Sequence, residues 1–137
     1  MEVLNQLSND DKNVFFSSLP FLSKNMEFFV LRFYYYFLQT KAGNLFQNTN
    51  INVQYKMFNT AVNVLITHIA DPTQLEHAID GLVNNHVKYG VEPDHINYFI
   101  DSFMNALGEI FNKDAERTLN VWYNVISEIM LNFRNKL

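Results

Sequence analysis

The sequence predicts an all-α domain, and three observations carry that expectation. Helix-breaking residues are scarce, with four Gly and three Pro in 137 residues. Apolar residues recur at steps of three and four along almost the whole chain, which is the period of one helix face. Strict apolar–polar alternation, the mark of a half-buried strand, is nowhere sustained. A chain of this length forms one domain by ordinary proportions and can bury a substantial core. Residues 1–137 are therefore read as a single domain of six or seven helices, without an internal repeat, low-complexity tract or linker.

The elements follow in order. Ser8-Asn9-Asp10-Asp11 reads as an N-cap with acidic first-turn residues, opening a helix that runs to about Leu22. Pro20 falls near its end and is expected to bend or stop it. A second helix, about Asn25 to Gln39, carries the densest aromatic cluster of the chain: Phe28, Phe29, Phe33, Tyr34, Tyr35, Tyr36 and Phe37. A short turn around Lys41-Ala42-Gly43-Asn44 leads into Leu45-Phe46, and the polar stretch Gln47 to Ile51 reads as loop. From about Asn52 to Ala70, Gln54, Phe58, Ala61, Leu65 and His68 line one helical face. Asp71-Pro72-Thr73 restarts the chain into a helix that Gly90 is placed to stop, and Glu92-Pro93-Asp94 begins the next. That helix is expected to bury Ile96, Phe99, Ile100, Phe103, Leu107 and Ile110. Asn112-Lys113-Asp114 reads as the last turn before a terminal helix with Leu119, Trp122, Ile126, Ile129, Met130 and Phe133 inward.

Composition removes several function classes. The formal charge of −4 is spread along the chain without a Lys/Arg block or basic face, so a nucleic-acid partner has no electrostatic footprint. No apolar run is long enough to span a bilayer, and the N-terminus lacks the basic start and apolar core of a secretory leader. The chain has no cysteine, which excludes disulfides, thiolate zinc sites, iron–sulfur clusters and cysteine nucleophiles. A cytoplasmic location is expected. There is no glycine-rich phosphate loop, no Gly-x-Ser-x-Gly elbow and no His-Glu-x-x-His helix. Asp10-Asp11 reads as a helix start rather than an acid–base pair. His68, His77, His86 and His95 are spaced nine apart. That is roughly 2.5 helical turns, with a Pro or Gly between each pair, so they do not read as one zinc site.

His86 stands apart. Leu75, Ala78, Ile79, Leu82 and Val83 precede it at helical spacing, which puts the imidazole at the end of the apolar stripe of its helix. A hydrogen-bonding ring aimed at an apolar interior needs a partner or a neutral state, and neutral imidazole is a common metal ligand. For a lone histidine on such a face, a hydrogen-bonded core residue is the commoner outcome, and that alternative stays open here. The aromatic fraction of 15%, with thirteen Phe and seven Tyr, suits a core that surrounds something large and flat, or simply a Phe-rich core. A helix-borne histidine with an apolar approach and aromatic walls on neighbouring helices is the minimal set for haem. The helix from Asn52 to Ala70 would then supply the opposite wall.

These residues resemble the single-domain globins of the bacterial haemoglobin and flavohaemoglobin group. The stretch from Leu19-Pro20-Phe21-Leu22 through Phe33-Tyr34-Tyr35-Tyr36-Phe37-Leu38 lies on that family's first two helices without a gap. Leu45-Phe46 matches the Leu-Phe at the start of the interhelical region, and Gln54-Tyr55-Lys56 stands where the family has Gln-Pro-Lys. Leu82 to Val91 matches the proximal helix with its Gly-Val corner, and Trp122 matches the tryptophan of the last helix. The resemblance spans about residues 8 to 135. The segments either side of Phe46 are each about two residues short, so a one-residue slip would turn Tyr55 or Val53 inward in place of Gln54.

The resemblance implies a globin fold around haem b, with His86 as the iron ligand. Tyr34 and Gln54 would face the gas, Phe46 would stack on the porphyrin, and Phe58, Leu82, Val91 and Phe99 would line the pocket, with Met57 beside Phe58. Tyr55 and Met57 are also candidates to approach the iron themselves. Flavohaemoglobins set a tyrosine and a glutamate behind the proximal histidine; those positions fall on Ile96 and Leu137 here, so a backbone carbonyl is the acceptor expected for His86. The implied function is reversible binding of dioxygen, nitric oxide or carbon monoxide by a monomer or homodimer. Oxidation of nitric oxide with a separate reductase stays open as an enzymatic alternative, because no flavin or NAD domain is expected on this chain. A haem-less globin-like interaction or sensor module is the third possibility.

Overall fold

The structure, a computed structural model, describes residues 2–112 and 115–137. It contains six α-helices and two short 3-10 segments among the described residues, and no strand. The helices are α1 (Asn9–Lys24), α2 (Met26–Phe37), α3 (Ile51–His68), α4 (Pro72–Val87), α5 (Pro93–Ile110) and α6 (Glu116–Asn135). The 3-10 segments are Val3–Gln6 and Lys41–Phe46. The expected turn at Asn112-Lys113-Asp114 lies, at Lys113 and Asp114, outside the described residues. No helix among the described residues is long and apolar enough to cross a membrane.

Local chemistry sets the helix starts. Ser8 Oγ accepts from Asp11 N at 3.1 Å, Asn50 Oδ1 from Asn52 N at 3.0 Å, and Asp71 Oδ1 from Gln74 N at 3.2 Å. Each satisfies an amide that has no partner inside its helix. Pro72 and Pro93 occupy the first turns of α4 and α5, where a missing N–H costs nothing. Opposite Pro93, His95 Nδ1 accepts from Glu92 N at 2.9 Å, so this histidine serves the helix start.

Pro20 does not stop α1, which continues to Lys24. Pro20 and Phe16 both lie on the exposed side of the helix. The carbonyl that the proline leaves without its i+4 donor can therefore meet water. The buried stripe of Phe15, Ser18 and Leu22 runs on past it. Where α4 ends, Gly90 takes φ 77°, a left-handed conformation open to glycine at little cost. Gly43 serves a different need, because a Cβ there would run into the Leu38 carbonyl oxygen. It lets the 3-10 segment carrying Phe46 fold back over the end of α2.

The core forms where α2 packs on α5, α5 on α6, and α6 on α1. Phe15, Leu22, Phe29, Phe33, Leu107 and Val125 are fully enclosed there. Trp122 lies against Phe15, ring centroids 4.7 Å apart, and its Nε1 donates to Ser18 Oγ at 2.8 Å. Ser18 in turn donates to the Phe15 carbonyl at 2.6 Å. Both polar groups of this buried relay are satisfied inside the protein. On the other side, α3 packs on α2 and α4, and α4 also meets α6.

Candidate functional site

The last turn of α4 carries His86. Leu75, Ile79 and Val83 of the same helix are buried, while Ala78 and Leu82 are half-buried. His86 itself is exposed rather than buried as its stripe suggests, because the helix emerges from the protein over its last turn. Its Nδ1 stands 2.6 Å from the Leu82 carbonyl oxygen. A carbonyl only accepts, so Nδ1 is the donor, and in a neutral ring the lone pair then falls to Nε2. The ring meets Phe133 of α6 edge-on, with centroids 5.6 Å apart.

An aromatic cluster occupies the junction of α2, α3, α5 and the 3-10 segment. Phe33 meets Phe58 at 4.2 Å and Phe99 at 5.2 Å, and Phe58 stacks on Phe99 at 6.0 Å. Tyr34 meets Phe46 at 5.8 Å, Phe58 at 5.6 Å and Tyr55 at 5.3 Å. These edge-to-face and offset contacts fix the rings relative to one another. The run of three tyrosines is resolved by the helix period: Tyr34 is 5% exposed and Tyr35 54%, while Tyr36 is half-buried. Burial, and after it the nearby Tyr55, pushes the Tyr34 hydroxyl well above the usual phenol range. Tyr34 therefore remains a hydrogen-bond donor at any ordinary pH.

The structure brings Tyr34, Phe46, Phe58 and Phe99 together in this cluster. Leu82 and Val91 are half-buried against the core. Gln54 is half-buried, and it meets Tyr34 through its main chain: the Tyr34 hydroxyl donates to the Gln54 carbonyl at 3.4 Å. Met57 and Val53 stand on the outer side of α3, 52% and 48% exposed. His86 has Phe133 as its ring partner rather than a member of the cluster. Sequence reasoning assigned Phe133 to the core without linking it to His86. Their separation of 47 positions left no local signal, because only the packing of α4 on α6 joins them.

No three His, Cys, Asp or Glu side chains come together as a metal cage among the described residues. A single histidine with a free Nε2 suits a metal whose other ligands come from a macrocycle, as in haem. The half-buried apolar side chains of Phe46, Leu82, Val91 and Phe99 offer the contact a flat hydrophobic ring requires. The residues present fit that group. No curated protein matches the chain. The Globin family model matches residues 32–131, a span that contains every candidate named above, and the chain belongs to the globin family.

Proposed function

We propose that this globin is a haem b protein that binds dioxygen or another diatomic gas, with His86 Nε2 as the protein's ligand to the iron. The observation that carries the reading is the contact of His86 Nδ1 with the Leu82 carbonyl. It fixes the tautomer and leaves a basic nitrogen for the metal, the arrangement that tunes metal-bound histidines generally. When bound, haem would supply an iron centre able to take a gas ligand. Phe46, Leu82, Val91 and Phe99 would hold the ring by apolar contact, with Phe58 deeper in the same wall. Tyr34 is a buried, protonated donor that can favour the negatively polarised atom of a bound gas. Such a donor in a dry pocket supports retention of dioxygen over rapid delivery. Within the globin family, the Leu45-Phe46 pair, the Tyr34 position and the Gly90-Val91 corner argue for the bacterial haemoglobin and flavohaemoglobin group.

The test is the visible absorption spectrum of the protein supplied with haem, oxidised, reduced and with carbon monoxide, beside His86→Ala. A Soret band that shifts with carbon monoxide and changes in the variant is the expected result. A folded, helical protein without a Soret band would replace this reading with a haem-less interaction module.

A further inference from the structure

Helix α3 presents two neighbouring polar side chains, Gln54 and Tyr55, and the structure gives them different tasks. Tyr55, Phe58 and Val62 lie at i, i+3 and i+7 and form the stripe of α3 that turns toward α2. Phe58 and Val62 are buried and Tyr55 is half-buried. The Tyr34 ring sits between the first two, 5.3 Å from Tyr55 at 54° and 5.6 Å from Phe58 at 77°. Its hydroxyl reaches the main-chain carbonyl of Gln54 at 3.4 Å, a long and therefore weak bond. The Gln54 amide makes no hydrogen bond to Tyr34.

We propose that Tyr55 is the positioning residue for Tyr34, its ring holding the Tyr34 ring in place, and that Gln54 serves this site through its main-chain carbonyl rather than its amide. This rests on the haem reading above and assigns a division of labour within the same site. Side-chain changes at Gln54 leave the carbonyl where it is. Loss of the Tyr55 ring frees Tyr34 to change rotamer. Because the bond to the Gln54 carbonyl is weak, a gas that accepts a hydrogen bond well competes for the hydroxyl. Carbon monoxide, a poorer acceptor, gains less, so the arrangement favours dioxygen.

The experiment compares Tyr34→Phe, Tyr55→Phe, Tyr55→Leu and Gln54→Leu. In the haem-loaded protein it reads the stretching frequency of bound carbon monoxide and the dioxygen dissociation rate. In the haem-free protein it reads the Tyr34 ring resonances by NMR. Tyr34→Phe should speed dissociation about tenfold, the loss of one hydrogen bond near the top of its usual range. Tyr55→Leu should move the frequency and the rate toward Tyr34→Phe and shift the Tyr34 resonances. Tyr55→Phe, which keeps the ring, and Gln54→Leu should both resemble the wild type. A shift with Gln54→Leu, or Tyr34 resonances unmoved by Tyr55→Leu, overturns the proposal. A wild type without a Soret band overturns the haem reading instead, and the NMR comparison still decides the role of Tyr55.

Discussion

The two sides of this molecule bury their apolar residues unequally. On the side of α1, α5 and α6, Phe15, Trp122, Leu107, Val125 and Ile126 are enclosed, and α6 alone buries seven residues of its twenty. On the side of α3 and α4, Phe58 and Val62 are the buried residues of an eighteen-residue helix, and α4 adds Leu75, Ile79 and Val83. The apolar residues there include Tyr55, Leu65, Leu82 and Val91 at partial burial, and Val53, Met57 and Val87 in the open. On the first side the Trp122 indole and the Ser18 hydroxyl of the core satisfy each other. The second keeps apolar surface available around a histidine and a tyrosine. Partly exposed apolar side chains grouped with a few polar ones are how ligand sites differ from cores. The comparison predicts that truncation harms folding on one side and ligand retention on the other.

The largest effect belongs to Trp122→Ala. The variant removes the ring packed on Phe15 and Phe103 and leaves Ser18 Oγ without its indole donor. A loss of about 3–5 kcal/mol is expected from urea unfolding, the usual cost of deleting a buried aromatic side chain. The fraction still folded should take up haem as the wild type does. A loss below about 1 kcal/mol would mean that this side relaxes easily.

A matched pair of leucines sharpens the contrast at fixed chemistry. Leu107 is fully enclosed, and Leu107→Ala should cost about 2–5 kcal/mol of unfolding free energy. Leu82 is half-buried, and Leu82→Ala should cost about 1–2 kcal/mol in the haem-free protein, since less area leaves water there on folding. With haem supplied the order should reverse: Leu82→Ala loses the cofactor to an acceptor protein faster than wild type, and Leu107→Ala does not. Equal haem loss from both variants would break the comparison.

The same division explains what could be read before the structure. Cores follow the helix period, so Leu119, Trp122, Ile126, Ile129, Met130 and Phe133 were legible as one inward face, and all are buried except Leu119, which is half-buried. Helix starts were legible because Ser8, Asp71 and Pro93 act within a few residues of themselves. Of the bend or stop expected at Pro20, the stop is absent, because its effect depends on which side of α1 meets water, a tertiary property. His86 was legible as a singular residue, but not its exposure, which depends on where α4 leaves the protein. The Tyr34 contact with the Gln54 carbonyl was not legible at all. Main-chain atoms are the same at every position, so a sequence can suggest the amide of Gln54 but not its carbonyl.

The smallest expected effect lies on the surface between α2 and α5, where Arg32 donates to Glu109 from Nε at 2.8 Å and from Nη2 at 2.9 Å. The guanidinium also lies over the Tyr35 ring, 4.2 Å from its centroid. These bonds, chiefly the hydrogen bonds from Arg32, hold the Glu109 carboxyl below the usual carboxylate range. A depressed folded-state value makes the contribution fully present above the unfolded value, which lies near 4.3 for glutamate. It is lost as pH falls through the folded value. Wild type should therefore exceed Glu109→Gln slightly at neutral pH, with the gap closing on acidification and shrinking in added salt. Unfolding midpoints measured across that acid range check it. A gap as large as the one caused by Leu107→Ala would shift the anchoring of this side from its core to its surface, because exposed ion pairs do not rival enclosed leucines unless solvent is kept from them.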